Sequence, residues 1–410
     1  MIEEAVRIGD RLGEIAEWDG DDVAWIALEF REQRWFLAPV SIDFYVGLPG
    51  VAMFLGYLSH IARSMDLPGT EKRQALAKSA ARTLLRTTAE SNIESVGVLS
   101  GWGGVLYACT HLAALSHDVD VRAACDRIVQ RIDGLVDRDE DIDVVSGLAG
   151  AIGALCAAHA ARSSERALDV AVRCGERLLA RAVKEQNGWW WRTRLYNDPQ
   201  SGFSHGNSGI AWALLTLGDA AGDERFRAAG WAALTMEREV LRAAAESSHD
   251  VRASVAEGSV SASWCYGAPG IGLARLSALR SAERAGSMSL ADRRILRAEL
   301  EQLVLSTLEH GFVDNHCLCH GDLGTLDFLL QSRAVIPGLD ARIDEAAAYV
   351  IDDIVRNGAR CGTPEHVPSP GIMNGLSGIG YGLLRLADPD RVPSLLTFEP
   401  PRSFVGASSR

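Results

Sequence analysis

Cys319-His320-Gly321-Asp322-Leu323-Gly324, followed by the apolar run Leu326 to Leu330, is the stretch whose reading decides the fold. Its Gly-x-x-Gly step ahead of an apolar run occurs seven times, at Gly47/Gly50, Gly101/Gly104, Gly147/Gly150, Gly206/Gly209, Gly267/Gly270, Gly321/Gly324 and Gly375/Gly378. Successive first glycines are 54, 46, 59, 61, 54 and 54 residues apart. A recurrence of this length marks a repeat architecture with one supersecondary unit per repeat.

Two kinds of predicted helix alternate along the chain. The run after each step is apolar nearly all round and rich in small residues, as in Val105 to Leu115, Ala151 to Ala161, Ile210 to Leu217, Ile271 to Leu279 and Ile379 to Leu386. The run before the next step is charged on one face, as in Glu71 to Glu90, Glu165 to Glu185, Glu224 to Arg242, Leu290 to His310 and Ala341 to Asn357. A helix apolar on every side is buried on every side, whereas an amphipathic one lies at the surface. An open solenoid would carry polar capping repeats, and none is visible. The expectation is an all-α fold, an α/α toroid of seven inner and about seven outer helices. An amphipathic helix over residues 2–17 opens the chain.

No linker of biased composition interrupts the units, so residues 1–392 read as one domain. The Pro- and Ser-bearing segment 393–410 reads as a poorly ordered tail. Asn187-Gly188-Trp189-Trp190-Trp191-Arg192-Thr193-Arg194 reads as a short extended excursion. Its aromatics either line a peptide groove or pack a loop onto the ring.

Composition excludes several classes. With 41 basic and 54 acidic residues the net charge is -13, which disfavours a nucleic-acid backbone as partner. No apolar run of the length needed to span a bilayer occurs, and Met1-Ile2-Glu3-Glu4-Ala5 lacks the plan of a secretion signal. Eight cysteines in 410 residues are too sparse for a disulfide scaffold. Cys109, Cys125, Cys156 and Cys174 fall within helical patterns as small buried hydrophobes, and the expected compartment is a reducing cytoplasm.

If rotation relates the units, equivalent residues lie on one circle at one end of the ring. Two positions before each first glycine stand Tyr45, Leu99, Val145, Ser204, Cys265, Cys319 and Met373. One position before stand Val46, Ser100, Ser146, His205, Tyr266, His320 and Asn374. Cys265, Cys319 and His320 thereby become three candidate zinc ligands. Three protein ligands leave a fourth tetrahedral position open, as in catalytic zinc sites; the alternative is a closed site with His205 as fourth ligand. His316 and Cys317 fall off these positions and read as loop residues. Asp322 reads as charge compensation at a helix N-terminus. Asp143 reads as an N-cap or a site residue. A zinc with two sulfur ligands is a poor activator of water. It suits an incoming thiol held as a thiolate, so the ligand set favours sulfur alkylation.

At these residues the chain resembles the lanthipeptide (lantibiotic) cyclases, the LanC-like family. The resemblance rests on Gly202-Phe203-Ser204-His205-Gly206, Ser263-Trp264-Cys265-Tyr266-Gly267-Ala268-Pro269-Gly270, Cys319-His320-Gly321 and Gly375-Leu376-Ser377-Gly378. Asn315 to Leu330 and Pro370 to Pro393 look most like the C-terminal cyclase domain of the class II synthetases. The resemblance implies Zn2+ held by Cys265, Cys319 and His320. It further implies a dehydrated precursor peptide as substrate, whose cysteine adds to dehydroalanine or dehydrobutyrine to close a thioether ring. His205 would be the acid/base, Asp143 would orient it, and Tyr266 would lie near the metal. A dehydratase domain or protein is the implied partner, and the chain is either an isolated cyclase domain or a free-standing relative. Ser261 stands where free-standing cyclases often carry an arginine, which departs from the pattern. Two other readings stand beside this one. One is another zinc-dependent thiol alkylation, such as prenyl transfer. The other is a non-catalytic module that binds thiol peptides or glutathione.

Overall fold

The structure is a computed structural model and describes residues 1–31, 33–247, 262–286, 288–312 and 315–402. Among these, the helices fall into two concentric sets. The inner set is α2 (Leu48–Ser64), α4 (Trp102–Ser116), α6 (Leu148–Arg162), α8 (Asn207–Ala221), α10 (Ala268–Ala285), α12 (Asp322–Ser332) and α14 (Leu376–Ala387). The outer set is α1 (Ile2–Glu14), α3 (Thr70–Glu90), α5 (Val119–Leu135), α7 (Glu165–Arg181), α9 (Glu224–Ser247), α11 (Leu290–His310) and α13 (Asp340–Asn357). Each inner helix packs on the next, and α14 packs on α2, so the ring closes. The opening helix α1 covers α14, which makes the N-terminus the outer layer of the last unit.

Burial follows residue type. In α4 every residue from Trp102 to Ala113 is buried. In α7 only Ala167, Val170, Ala171, Cys174, Gly175 and Leu178 are buried, at helical spacing, so one stripe faces inward and the charged face meets solvent. Small residues let the inner helices approach. Gly153 faces the Trp212 ring, where a Cβ would collide with it.

Each inner helix starts at an extended glycine, the first of its Gly-x-x-Gly step. The second glycine answers a steric demand. A Cβ on Gly270 would overlap the Trp264 carbonyl oxygen and crowd Phe203. Because that carbonyl immediately precedes Cys265, Gly270→Ala should lower stability by about 1–3 kcal/mol, the usual cost of overpacking. A urea titration of wild type beside the variant measures it.

The turns ahead of the inner helices join hands around the ring. Tyr45 N donates to Leu99 O, Leu99 N to Val145 O, Val144 N to Ser204 O, and Ser204 N to Cys265 O, at 3.2, 3.0, 3.1 and 3.0 Å. Trp264 N then donates to Cys319 O, Cys319 N to Met373 O and Met373 N back to Tyr45 O, at 2.9, 2.9 and 3.0 Å. Residues two and three before each first glycine therefore form a closed circle of backbone hydrogen bonds, which pairs groups that burial would otherwise leave costly.

Three antiparallel hairpins decorate the ring: β1 (Glu17–Asp19) with β2 (Asp22–Ala24), β3 (Ile26–Arg31) with β4 (Arg34–Pro39), and β5 (Val183–Glu185) with β6 (Gly188–Trp190). The third ends the expected helix Glu165 to Glu185 early, at Arg181. It is the expected extended excursion, and its aromatics pack: Trp191 is buried with Nε1 donating 2.7 Å to Leu178 O, and Lys184 Nζ lies 4.2 Å over the Trp189 ring.

The reading of 393–410 as a loose tail needs correction over its described part. Val392, Leu395, Leu396 and Phe398 are buried. Tyr107 and Trp212 hold the Phe398 ring at 5.4 and 5.6 Å between centroids. Trp264 Nε1, Tyr381 Oη and Tyr107 Oη donate to the carbonyls of Leu396, Pro393 and Glu399 at 3.0, 3.0 and 2.9 Å. These partners come from units all round the ring, so the segment plugs its bore. Three apolar residues of this segment, Leu395, Leu396 and Phe398, fill a hole that its prolines and serines do not announce. Residues 403–410 lie outside the described set.

Candidate active site

In four of the seven turns a side chain four residues before the first glycine caps the turn. There Asp43, Asp143 and Ser263 accept from the backbone N of Val46, Ser146 and Tyr266, at 2.8, 2.8 and 3.4 Å. Cys317 occupies the same place in its unit, with Sγ 3.5 Å from His320 N. Cys317, a loop residue as expected, also caps its turn, and burial pushes its thiol up to about 12. His316 anchors the loop from below. Its Nε2 lies 2.8 Å from Asp353 Oδ2 and its Nδ1 accepts from Arg360 N at 3.0 Å.

With the turns fixed, the circle brings Cys265 and Cys319 side by side, and their side chains hydrogen-bond each other. The hydrogen bond from Cys319 draws the Cys265 thiol down to about 7, while the same bond and burial push Cys319 up. Cys319 is buried and Cys265 is half-buried, so Cys265 faces the way in. His320 follows Cys319, but its ring is engaged elsewhere. It hydrogen-bonds the Gly362 backbone, and its Nε2 and Cys317 Sγ would each lie 2.6 Å from a Cβ on Gly362. Burial lowers the His320 pKa and keeps the ring neutral.

Across the seam from Cys265 stands a second pair. His205 Nδ1 lies 2.6 Å from Asp143 Oδ2, while Asp143 Oδ1 holds its own turn through Ser146 N. An imidazole that donates through Nδ1 to a carboxylate presents Nε2 as the free basic nitrogen. Ser204, beside His205, bonds Cys265 O through both backbone N and Oγ, at 3.0 and 3.1 Å. That bond ties the two pairs together. The Tyr266 ring is 5.9 Å from that of His205, and its phenol is kept protonated by partial burial and a hydrogen bond with Tyr196. Ser261 lies outside the described residues.

Among the described residues, no three His, Cys, Asp or Glu side chains form a cluster able to hold a metal. The donor chemistry nevertheless fits a zinc ion. Two neighbouring thiols, one with its pKa lowered, are soft donors, and the neutral His320 follows Cys319 in the chain. Metal-ligating histidines typically spend their second nitrogen on a carbonyl or carboxylate, and His320 is bonded to the Gly362 backbone.

The family model described as lanthionine synthetase C-like protein matches residues 38–397. The chain belongs to the lanthionine synthetase C-like family. Over 189 residues, 45% of this chain, it is 30% identical to the lacticin 481/lactococcin biosynthesis protein LcnDR2 of Lactococcus lactis subsp. lactis, and the match spans 20% of that relative. Nisin cyclase, a solved structure, superposes with a TM-score of 0.69 at 16% identity, covering 97% of this chain and 96% of its own. That superposition shows the α/α toroid fold. Among the described residues no helix is long and apolar enough to cross a membrane.

Within this family member, two residues near the thiol pair went unread in the sequence. Tyr45 hydrogen-bonds the Cys319 side chain, and its place two before Gly47 was a usable signal. Gly362 lies in a loop without a motif, and nothing in the sequence pointed to it. The lowered pKa of Cys265 makes a direct prediction. In metal-free protein, Cys265 alkylation by iodoacetamide should reach half its maximal rate near pH 7, because the thiolate reacts. An ordinary cysteine keeps gaining rate to about pH 8.5. Mass spectrometry of the Cys265 peptide across pH 6 to 9 checks it.

Proposed function

We propose that this chain is a zinc-dependent lanthipeptide cyclase, adding peptide cysteine thiols to dehydroalanine or dehydrobutyrine to form lanthionine or methyllanthionine rings. The observation that carries the reading is the meeting of the Cys265–Cys319 thiol pair with the His205–Asp143 pair across one hydrogen-bonded seam. Family membership and the toroid fold support it.

Cys265, Cys319 and His320 would hold the zinc, which when bound would keep the substrate thiol as a thiolate near neutral pH. The protein's own residues supply the rest. His205 takes the thiol proton on Nε2, and Asp143 stabilises the imidazolium through Nδ1. The sulfur then forms a bond to the β-carbon of the dehydro residue, and the π electrons pass to the α-carbon and its carbonyl as an enolate. Return of the proton to the α-carbon completes the ring, with every atom of the substrate retained. Tyr266, neutral and part-exposed near His205, is placed to hydrogen-bond the peptide. A dehydratase domain or protein is the proposed partner that supplies the dehydrated peptide.

The test is incubation with a dehydrated precursor peptide that carries cysteines. Cyclisation lowers the number of alkylatable thiols without changing peptide mass. An unchanged thiol count with measurable peptide binding would instead make the chain a thiol-peptide binder.

A further inference from the structure

The turn that carries His205 has no side chain of its own at the capping place, because Gly202 stands four residues before Gly206. Its backbone is left-handed, at φ +105°, and a Cβ there would meet the Cys265 carbonyl oxygen at 2.8 Å and Tyr266 Cα at 2.9 Å. Only glycine fits where the fourth and fifth turns press together. A different residue braces this turn. Glu237, fully buried on the outer helix α9, accepts on Oε1 from Gly202 N at 3.0 Å and from Ser208 N at 3.1 Å. One oxygen thus joins the two ends of the turn, three residues to either side of His205. The carboxylate also meets the N-terminus of α8, whose cap residue, Gly206, has no side chain to offer. Ser208 Oγ donates to Oε2 at 2.7 Å and accepts from Arg275 at 3.2 Å. Arg275, buried on α10, pairs with Glu237 and lies 3.5 Å from Glu299, so the buried charge is matched. Asn207 adds a second tie to α9, donating through Nδ2 to Ala233 O at 3.1 Å.

We infer that Glu237 is a positioning residue for His205: its carboxylate clamps the turn 202–208 and so holds the imidazole against Asp143, across the seam from Cys265. The inference rests on the acid/base reading of His205 above. The His205–Asp143 bond bridges two units, so the imidazole meets its partner only while its own turn stays in place. Ser204, on the same turn, supplies the bonds to Cys265 O. A turn that drifts therefore moves the base relative to the thiol pair, and a misplacement of about 1 Å costs on the order of 100-fold in rate.

Glu237→Met combined with Arg275→Met removes the clamp and its counter-ion together. A buried ion pair exchanged for apolar residues of similar volume is often neutral for stability. The zinc-loaded double variant should melt near wild type and keep its KM for a dehydrated peptide, while kcat falls roughly tenfold or more. Amide hydrogen exchange in peptides covering 202–208 should be faster than in wild type. Glu237→Gln keeps an acceptor oxygen in the same place and should recover most of the rate. Wild-type kcat in the double variant overturns the clamp, and so does exchange over 202–208 as slow as in wild type. A Gln variant as slow as the double variant overturns it too, since the acceptor is then not what matters. If the double variant does not fold, the Gln variant decides: near-wild-type kcat with slow exchange supports the clamp, and a loss of about tenfold overturns it. Full turnover in His205→Asn takes down the acid/base reading itself.

Discussion

Replacing Cys319 with alanine is expected to remove zinc and thioether formation together. Cys319 is buried, and Cys265 is the largest influence on its thiol. Loss of an outer-shell partner alone costs roughly 10- to 100-fold in metal affinity or activity, and loss of a primary ligand should exceed that. Cys265→Ala is expected to behave the same way, because the pair acts as one unit. Metal analysis after gel filtration, run beside the cyclisation assay, reads both effects. Full zinc occupancy in either variant would sink the ligand assignment. Retained activity in a zinc-free variant would sink the proposed chemistry as well. Fold is expected to survive, since alanine leaves the backbone bonds of Cys319 to Met373 and Trp264 in place.

The second large effect concerns His205. Its Asn variant should keep zinc but lose about 10²- to 10⁴-fold in turnover, the usual worth of a positioned acid or base. Asp143→Asn should cost less, since the imidazole remains but loses the carboxylate that fixes its tautomer. A separate signature distinguishes a proton-transfer role from simple crowding. The pH dependence of kcat in wild type should show a limb that is absent in His205→Asn. Solvent deuterium incorporated at the α-carbon of the product should persist only in slowed form. Wild-type turnover in the Asn variant would leave His205 as a structural partner of Asp143.

The toroid was legible because it is written as a repeat. Seven glycine steps at near-regular spacing, each opening an all-apolar run, leave little choice about which helices lie inside. The site was legible for the same reason. Rotation maps sequence position onto a circle, and the backbone hydrogen bonds through Tyr45, Cys265 and Cys319 follow that circle. What escaped notice lacked this periodicity. Cys317 shares the capping place of Asp143, but a thiol in a sequence does not signal a cap as an aspartate does. Hairpins β1–β2 and β3–β4 precede the first step, where the repeat offers no guide. The bore-filling segment up to Phe398 follows the last step and is buried by tertiary packing alone. The His320 ring engaged by Gly362 depends on a loop from the end of the sixth unit, whose approach no local pattern encodes.

The pairing of α1 with α14 also bears on how the molecule comes to be made. Helix α1 finds its resting place only when α14, Leu376–Ala387, has been made. Contacts of such sequence separation slow folding, since the entropy of the intervening chain is lost before they reward it. Until then α1 offers its apolar stripe to whatever is near. Closure of the ring at this seam is therefore expected to come late in its folding, with the open ring most exposed to aggregation just before the circle shuts.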